Sequence, residues 1–472
     1  MKENRKTKYT HRYLARIVIE AETPLAVGSG EKDLETDALV ATDSNGMPYI
    51  PATSIAGVVI SIVGAYGIFG WQGSQDENDG GKGSEIIFSE AKILDSHGRV
   101  TDGLRDASLL LSDPLLSRYT SLPVRQHVRI NDKGTAEDGG LFSGQAVFAG
   151  SRFCFEIEMV SDGGNYSEFE TVLRSMRDVS FRLGGKTRSG FGKIRIVDMQ
   201  TVDLDLMCKE DLDAYLAKSS SLDSGFWESI GLKGAHITST PLSAYGMRRY
   251  RLELKPDSFF QFGSGFSDDE VDMTPVKARK VIWTETGEGV SGRLKDNLVL
   301  IPASSLKGAL AHRVAFHWNR SCGRFADDMP TDDFKRLTGD RNKAVRILFG
   351  SSDESQEKMT RGNVIFSDII QGEATDKVFN HLKIDRFTGG GIEGALFSEK
   401  AVYGDGERYE TELLVDIDGV RHACGDECDA EKVLNAFEKA LGDVCNGMLP
   451  LGGGVNRGHG VFHGDFKLLN EE

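Results

Sequence analysis

The sequence predicts an α+β protein built from two tandem copies of one domain. Two observations predict it: five sequence blocks recur in the same order in the two halves of the chain, and both halves share one order of strand-like and helix-like segments. The period is far too long for a solenoid, so the repeat indicates a duplicated domain. A length of 472 residues suits two or three domains of ordinary size.

Each half begins with a strand of alternating apolar residues, at 12–20 and at 248–256. A Gly-Ser-Gly loop follows that strand in both halves. The loop leads to a helix that opens with Ile-Pro-Ala, and the Ser/Thr pairs at 53–54 and 304–305 are the expected N-caps of the two helices.

A second strand, an irregular insert, a third strand, an amphipathic helix, a Gly-rich loop and a closing strand complete each half. We expect the second strand at 85–94 and 362–370, the third at 152–160 and 407–417, the helix at 167–181 and 429–444, and the closing strand at 193–200 and 460–469. This β-α-β-β-α-β order is that of ferredoxin-like or RRM-like domains, with an insert between strands two and three. The expected domains are 1–200 and 247–472, joined by a linker at 201–246.

Composition limits the classes of function. The formal net charge of −16 disfavours a free-standing protein that grips naked nucleic acid by bulk charge, although not one whose basic groups are local or one inside a larger assembly. The sequence has no apolar run of membrane length and no signal-peptide core, which predicts a cytoplasmic protein without membrane contact. Six scattered cysteines argue against a disulfide framework.

The two Gly-rich loops, 183–192 and 451–460, are candidate anion sites. Glycine lets backbone N–H groups approach an anion, and Lys186, Arg188 and Arg457 add positive charge. The alternative is a helix-to-strand turn that needs glycine only for its geometry. Neither loop matches the phosphate-binding pattern of nucleotide hydrolases, which disfavours a kinase or an ATPase.

Acidic residues recur at matching places after the Gly-Ser-Gly loops. Asp37 and Asp272 each lie seven positions beyond the last glycine of that loop, and Asp33 aligns with Asp268. Acidic loop residues are usually only solvated. An acid kept at one place in both copies could instead orient a 2′-hydroxyl or a divalent ion for phosphodiester chemistry.

The insert of each half carries basic residues next to apolar ones. His127 and Arg129 lie in the first insert, and His381, Lys383 and Arg386 lie in the second. This pattern suits a projecting hairpin that wedges between bases and touches phosphates, or else a strand with a solvated polar face.

A further group occurs only in the second half. It consists of His422, Cys424, Cys428 and Cys445, whose spacing could hold zinc, although ordinary thiols explain it equally well.

Taken together, the Gly-Ser-Gly loop with its downstream Asp, the Ile-Pro-x-Ser-Ser-Leu-Lys-Gly helix, the Phe-Gly…Phe-Ser-Asp strand, the His-x-x-Ile-Asp-Arg hairpin and the Gly-rich loop resemble the RAMP superfamily. More narrowly, they resemble the backbone subunits of type III CRISPR–Cas effector complexes. Two such domains in one chain resemble the fused backbone subunits of the type III-D and III-E lineages.

The resemblance implies partners and an activity. It implies a protein that holds guide RNA (crRNA) along a filament with other CRISPR effector subunits, while a thumb-like insert interrupts the duplex of guide and target RNA. In the family, an Asp in the loop after the first strand cleaves target RNA with Mg²⁺ or another divalent metal. Carried over by position, that residue is Asp37 in the first copy and Asp272 in the second, with Asp268 in reserve.

The resemblance also implies which residues contact RNA. The helix-opening Lys of the family motif is Lys307 in the second copy but Ala56 in the first, and Ser54 and Ser305 belong to the same motif. With the basic residues of the Gly-rich loops and of the inserts, these residues are the expected RNA contacts.

Two other functions stay open at this point. The chain could be an RNA-binding scaffold whose cutting sites are inactive. It could also be a free-standing RAMP endonuclease that trims guide precursors, for which His127 and His381 are the candidate catalytic residues.

Overall fold

Two antiparallel sheets form the framework of the molecule, one from each half of the chain. The computed structural model describes residues 9–64, 67–72, 81–131, 134–230, 246–287, 289–330, 334–351, 359–404 and 406–469. In the first half the elements are β1 (His11–Ala21), β2 (Tyr49–Ile50), α1 (Ala52–Val63), β3 (Ile86–Phe88), β4 (Ala91–Ile93), α2 (Ala107–Ser112), α3 (Leu116–Tyr119), β5 (Val124–Ile130), β6 (Ala136–Gln145), β7 (Arg152–Ser161), α4 (Tyr166–Ser175) and β8 (Ile194–Asp205).

Two short helices follow β8 before the second half begins, and they are α5 (Lys209–Ala217) and α6 (Phe226–Ser229). In the second half the elements are β9 (Met247–Pro256), β10 (Phe259–Phe260), β11 (Lys277–Thr286), β12 (Gly289–Ile301), α7 (Ala303–Ser321), α8 (Lys343–Phe349), β13 (Gly350–Ser351), β14 (Thr360–Arg361), β15 (Val364–Ile365), β16 (Ile369–Glu373), β17 (Asp376–Ile384), β18 (Gly391–Tyr403), β19 (Tyr409–Asp416), α9 (Ile417–Cys424), α10 (Ala430–Cys445) and β20 (Phe462–Leu469).

Both sheets have the same strand order. In the first copy β1 pairs with β7 and with β8, and β3 and β4 pair with the far side of β7. In the second copy β9 pairs with β19 and with β20, and β15 pairs with the far side of β19. All these pairs are antiparallel. The expected tandem arrangement of ferredoxin-like domains is therefore confirmed.

The core of each copy lies between one face of its sheet and its helices. The alternating apolar residues of β1 place Ile17 and Ile19 in the first core, both with 0% of their surface exposed. Leu252 and Leu254 of β9 lie at the same place in the second core. The helix pairs α1 with α4 and α7 with α10 pack on these faces.

The expected N-caps are wrong. The N-cap residues are Pro51 and Pro302, so the Ser/Thr pairs at 53–54 and 304–305 lie inside the first turns, and neither N-cap side chain makes a capping hydrogen bond. A carboxylate distant in sequence replaces the cap of α7, because Asp368 Oδ1 accepts a hydrogen bond from the Ala303 N–H at 2.8 Å.

Several expected boundaries also differ. The second strand of each copy is split into β3 and β4, and into β15 and β16. β16 leaves the main sheet and pairs with β12 instead. The helix expected at 167–181 ends at Ser175, and the strand expected at 193–200 continues to Asp205. The third strands and the helix expected at 429–444 are confirmed to within two residues.

The segment expected as a linker contains regular structure where it is described. Phe226 of α6 packs with Leu14, Val202 and Leu204 on the outer face of the first sheet. Residues 231–245 of the same segment lie outside the described residues.

A long hairpin made by β11 and β12 reaches from the second copy onto the first. Val281, Trp283 and Leu294 of this hairpin pack against the hydrophobic core of the first copy. The Trp283 indole N–H donates to the Gly150 carbonyl at 2.7 Å, and the Arg152 guanidinium lies 4.4 Å from the centre of the indole. The hairpin therefore helps to fix the two copies against each other.

Candidate functional site

Each of the two expected aspartates is held by a serine in the same way. Asp37 Oδ2 accepts hydrogen bonds from the Ser143 N–H at 2.8 Å and from its hydroxyl at 3.1 Å. Asp272 Oδ2 accepts from the Ser398 N–H and hydroxyl, both at 2.8 Å. The backbone N–H of each aspartate donates back to the same hydroxyl, at 3.2 and 3.1 Å. The two copies therefore present one carboxylate geometry twice.

These contacts set the charge of the two carboxylates. Both aspartates are exposed, and the hydrogen bonds from the serine N–H and then from its hydroxyl lower the pKa of Asp37 and of Asp272 below the ordinary value. Both are therefore ionised at neutral pH. An ionised exposed carboxylate is a weak proton acceptor but a suitable oxygen ligand for Mg²⁺, which commonly binds one or two carboxylates together with water and phosphate oxygens.

Sequence reasoning missed the two serines. Ser143 and Ser398 directly follow Phe142 and Phe397, so they lie at matching places in the two inserts. This match is the sequence signal that could have found them.

The neighbouring acids close their own loops. Asp33 Oδ1 accepts the N–H groups of residues 35 and 36 at 2.8 and 2.6 Å, and Asp268 Oδ1 accepts those of residues 270 and 271 at 3.0 and 2.9 Å. The Lys400 ammonium lies 2.6 Å from Asp268 and, ahead of the backbone contacts, lowers the pKa of Asp268 to about 2. The counterpart of Asp37 is thus Asp272, and Asp268 is the counterpart of Asp33.

The two Gly-rich loops share one backbone conformation but not one set of side chains. The Ser189 N–H donates to the Lys186 carbonyl at 2.8 Å, as the Arg457 N–H does to the Gly454 carbonyl, also at 2.8 Å. Lys186 has φ +56° and Gly454 has φ +68°. Arg457 therefore corresponds to Ser189, and Arg188 has no basic counterpart in the second loop.

Both inserts contain a β-hairpin, β5–β6 in the first copy and β17–β18 in the second, which is one of the two structures that the sequence left open. His127 lies opposite Phe142, and His381 lies opposite Phe397. Burial, ahead of the nearby cations, lowers the pKa of His127 to about 4. His381 instead lies 2.8 Å from the carboxylate of Glu399.

The ends of both hairpins are exposed and combine apolar with basic side chains. The apolar ones include Val128 and Ile130, each 47% exposed, and Phe387, which is 98% exposed. The exposed basic ones are Arg129, Lys383 and Arg386.

The sequence matches the family model of the RAMP superfamily over residues 18–195 and 283–463, which together cover well over half of the chain. The chain belongs to the RAMP superfamily. It is therefore a CRISPR-associated RNA-binding protein. Each matched region contains one of the hairpins and one of the Gly-rich loops. No curated protein matches the sequence. Among the described helices, none is long and apolar enough to cross a lipid bilayer.

The Gly-rich loop of the first RAMP domain lies against the second domain. Arg188 Nε donates to the Gly362 carbonyl, and Arg125 pairs with the buried carboxylate of Asp368. A Cβ on Gly190 would lie 2.2 Å from an oxygen of Asp368, so only glycine fits at this point of the junction.

Positive charge accumulates at this junction. Lys307 is partly buried, and burial followed by the charge of Arg188 lowers its pKa. The pKa of Arg188 is lowered too, first by burial and then by the charge of Arg361. Arg182 is 5% exposed, and its Nε and Nη1 have no hydrogen-bond partner. Donors with this little compensation suit an anion such as a phosphate.

The remaining expected RNA contacts lie in the first turns of α1 and α7, and the two helices differ at one of these positions. Ser54 and Ser305 are both partly exposed residues of the first helical turns. Ala56 stands at the position of Lys307, so the first helix has no cation at this place.

The structure does not bring the candidate zinc ligands together. Within the described part of the chain, three potential ligand atoms lie within 4.8 Å of one another at Asp95, His97 and Asp113. The candidate ligands at 422–445 do not form such a group. Cys424 and Cys428 are neighbours, and burial, ahead of the contact with Cys428, raises the pKa of the Cys424 thiol. Asp113 is already engaged by the backbone and hydroxyl of Ser96.

Proposed function

We propose that this chain is a backbone subunit of a type III CRISPR ribonucleoprotein that binds guide RNA and cleaves complementary target RNA. The observation that carries the proposal is the repeated Asp–Ser geometry: Asp37 with Ser143, and Asp272 with Ser398. Two exposed loops of different sequence keep one ionised carboxylate in one orientation. A merely solvated acid does not need this arrangement.

The carboxylates suit a role in positioning the reacting groups. The serine N–H and hydroxyl hold Oδ2, so the carboxylate needs little reordering when RNA binds. Each aspartate would hold a Mg²⁺ ion or orient the attacking 2′-hydroxyl next to the scissile phosphate. A bound Mg²⁺ would supply stabilisation of the negative charge that develops on that phosphate. Base pairing with the guide would select the sequence that is cut.

The basic groups at the junction support the guide-binding part of the proposal. Arg182, whose Nε and Nη1 have no hydrogen-bond partner, lies with the cations Arg188 and Lys307 at the point where the Gly-rich loop meets the second domain. Phosphate contacts of this kind fix the register of an RNA strand without reading its sequence. A local basic surface also reconciles RNA binding with a formal net charge of −16.

The hairpins support contact with a duplex. Phe387 and the other apolar side chains at the hairpin ends are exposed next to basic residues, and exposed aromatic rings stack on bases. The carboxylate site of each copy lies at the base of its hairpin, because Ser143 belongs to β6 and Ser398 to β18. Each hairpin would therefore open the duplex beside the place where the target is cut.

The geometry favours the aspartates over the histidines as cutting residues. His127 is largely buried with a pKa near 4, and His381 is bound to the buried carboxylate of Glu399. Neither is presented as a general base for trimming of guide precursors.

The test is cleavage of a labelled complementary RNA by the ribonucleoprotein purified with a tagged copy of this chain. The copurified RNA is sequenced first, and short RNAs with a common repeat-derived 5′ tag and varied spacers are expected. D37N and D272N should each abolish a different cut in the target while target binding is retained, and chelation of divalent ions should abolish both cuts.

D43N is the matched control. Asp43 is another loop acid of the first copy, and its Oδ1 accepts the N–H groups of residues 45 and 47, which an asparagine oxygen can also accept. Its cleavage pattern should equal that of the wild type. If D37N and D272N also leave the pattern unchanged, the chain is a scaffold and another subunit cuts.

A further inference from the structure

An aromatic surface lies at the base of the second hairpin. Phe259, Phe379 and Tyr403 form it, and the ring centre of Phe259 lies 5.0 Å from that of Phe379 and 5.1 Å from that of Tyr403. Tyr403 is 42% exposed, and the other two side chains are partly exposed. The Lys377 ammonium lies 5.5 Å from the centre of the Phe259 ring and makes no ion pair with a residue that the structure describes. We call these four residues the aromatic surface.

The first copy has an equivalent surface. The equivalence follows by counting from the paired histidine and phenylalanine of each hairpin. Arg125 corresponds to Phe379, two positions before the histidine. Phe148 corresponds to Tyr403, six positions after the phenylalanine. The exposed fraction of Phe148 is only 2%, against 42% for Tyr403, so the surface is covered in the first copy and open in the second.

Two segments cover the first surface. Helix α3 is one of them, because the ring centre of its Tyr119 lies 5.5 Å from that of Phe148. Strand β11 of the second copy is the other, and its Val281 N–H donates to the carbonyl of Ala149, next to Phe148, at 2.8 Å. In the second copy only two residues separate β16 from β17, which leaves no room for a helix like α3. No described segment lies over the aromatic surface as β11 lies over the first one.

Another molecule of this protein does not fit as the missing cover. Where the second copy has the long β11–β12 hairpin, the first copy has a short turn at 43–46, so it has no strand like β11 to offer. The charges do not repeat either, because the junction inside the chain pairs Arg125 with Asp368. Two molecules stacked in the same way would instead place Phe379 against the acid Glu90, whose position corresponds to that of Asp368.

We propose that the aromatic surface binds a different protein, which lays a strand with alternating apolar side chains over the three rings and sets an acidic side chain against Lys377. The covered surface of the first copy supports the strand, because Val276 and Ala278, two residues apart at the start of β11, line one cleft with Phe148. Aromatic side chains are enriched in protein interfaces, and complementary charge fixes the orientation of the partner. This inference rests on the multisubunit assembly proposed above, and it specifies the neighbour on one side of the chain.

The test is a photocrosslink from this surface within the assembly purified with a tagged copy of this chain. p-Benzoylphenylalanine in place of Tyr403 should link to one other protein, and peptide mass spectrometry should map the link to a segment with alternating apolar residues and an acid. The same group in place of Phe325 is the matched control, because Phe325 is 52% exposed but lies beyond the C-terminal end of α7, and it should not give this product. A link to a second molecule of this chain, a link to RNA, or no link at all would each refute the inference.

Charge reversal at Lys377 tests the acidic side chain of the partner. K377E should weaken the affinity of the chain for the linked protein at least about tenfold, measured by mass photometry over a dilution series, because it places like charges against each other. K432E is the matched control: Lys432 is exposed on α10, which does not carry the aromatic surface, and its reversal should keep the wild-type affinity. Equal affinities of K377E and K432E, with unchanged circular dichroism, would contradict the proposed docking.

Failure of this inference and failure of the proposed function give different results. An assembly that contains guide RNA but gives no link from Tyr403 would refute this inference alone. A preparation in which the link forms without guide RNA would refute the proposed function and leave the docking site in place.

Discussion

Asp368 connects the two RAMP domains, and its replacement should weaken both the junction and helix α7. Its side chain is fully buried, pairs with Arg125 of the first domain and accepts the Ala303 N–H. Removing one partner of a buried ion pair costs about 3–5 kcal/mol, and losing a helix cap costs about 0.5–2 kcal/mol. D368N keeps an oxygen for the cap and should cost about 3 kcal/mol, whereas D368A loses both contacts and should cost roughly 4–6 kcal/mol.

Thermal unfolding followed by calorimetry measures this effect. A loss of 1 kcal/mol lowers Tm by about 2–4 °C for domains of this size, so D368N should lower the Tm of the affected transition by roughly 6–12 °C. E90Q is the matched control: Glu90 has the corresponding position in the first domain, but it is exposed, and its ion-pair partner among the described residues is the nearby Lys92. E90Q should change stability by at most about 1 kcal/mol. Equal Tm values for D368N and E90Q would refute the argument that the buried pair stabilises the junction.

Three further predictions concern other parts of the chain. The pKa of His127 in the folded chain is about 4, below the ordinary 6.5, so between these values the unfolded chain binds one more proton and stability falls as the pH drops. H127F should therefore make the urea midpoint depend less on pH in this range, and an unchanged dependence would contradict the argument. W283A should lower the free energy of unfolding of the first domain by about 2–4 kcal/mol, measured by urea unfolding. A loss close to zero would show that the Trp283 indole is solvated and does not contribute to the first core. F387A should keep the Tm but weaken binding of the target RNA by about 1–3 kcal/mol, because the exposed ring of Phe387 can stack on a base. Unchanged binding would show that this ring contacts no base.

The sequence predicted the parts of the fold that depend on local pattern. Apolar residues alternate along β1 and β9, which is the period of a strand, and they recur along α10 with the period of a helix. Both periods can be recognised within a single element, without knowledge of its neighbours. The repeat indicated that one domain occurs twice, and the β-α-β-β-α-β order of elements within each copy predicted the ferredoxin-like fold. The positions of Asp37 and Asp272 followed from the same repeat.

The features that the sequence did not predict depend on residues distant along the chain. The cap of α7 comes from Asp368, sixty-five residues beyond Ala303, where a local reading expected a Ser/Thr pair. The docking of β11–β12 on the first domain carries no local signal.

The β11–β12 hairpin has a consequence for the order in which the protein is made. Val281, Trp283 and Leu294 complete the hydrophobic core of a domain whose own last strand ends at Asp205. During synthesis the first domain therefore leaves the ribosome with part of its apolar surface uncovered, and it stays so until about eighty to ninety further residues have followed. A chain released after the first domain would keep that surface exposed, so the native state of one half of this protein depends on translation of the other.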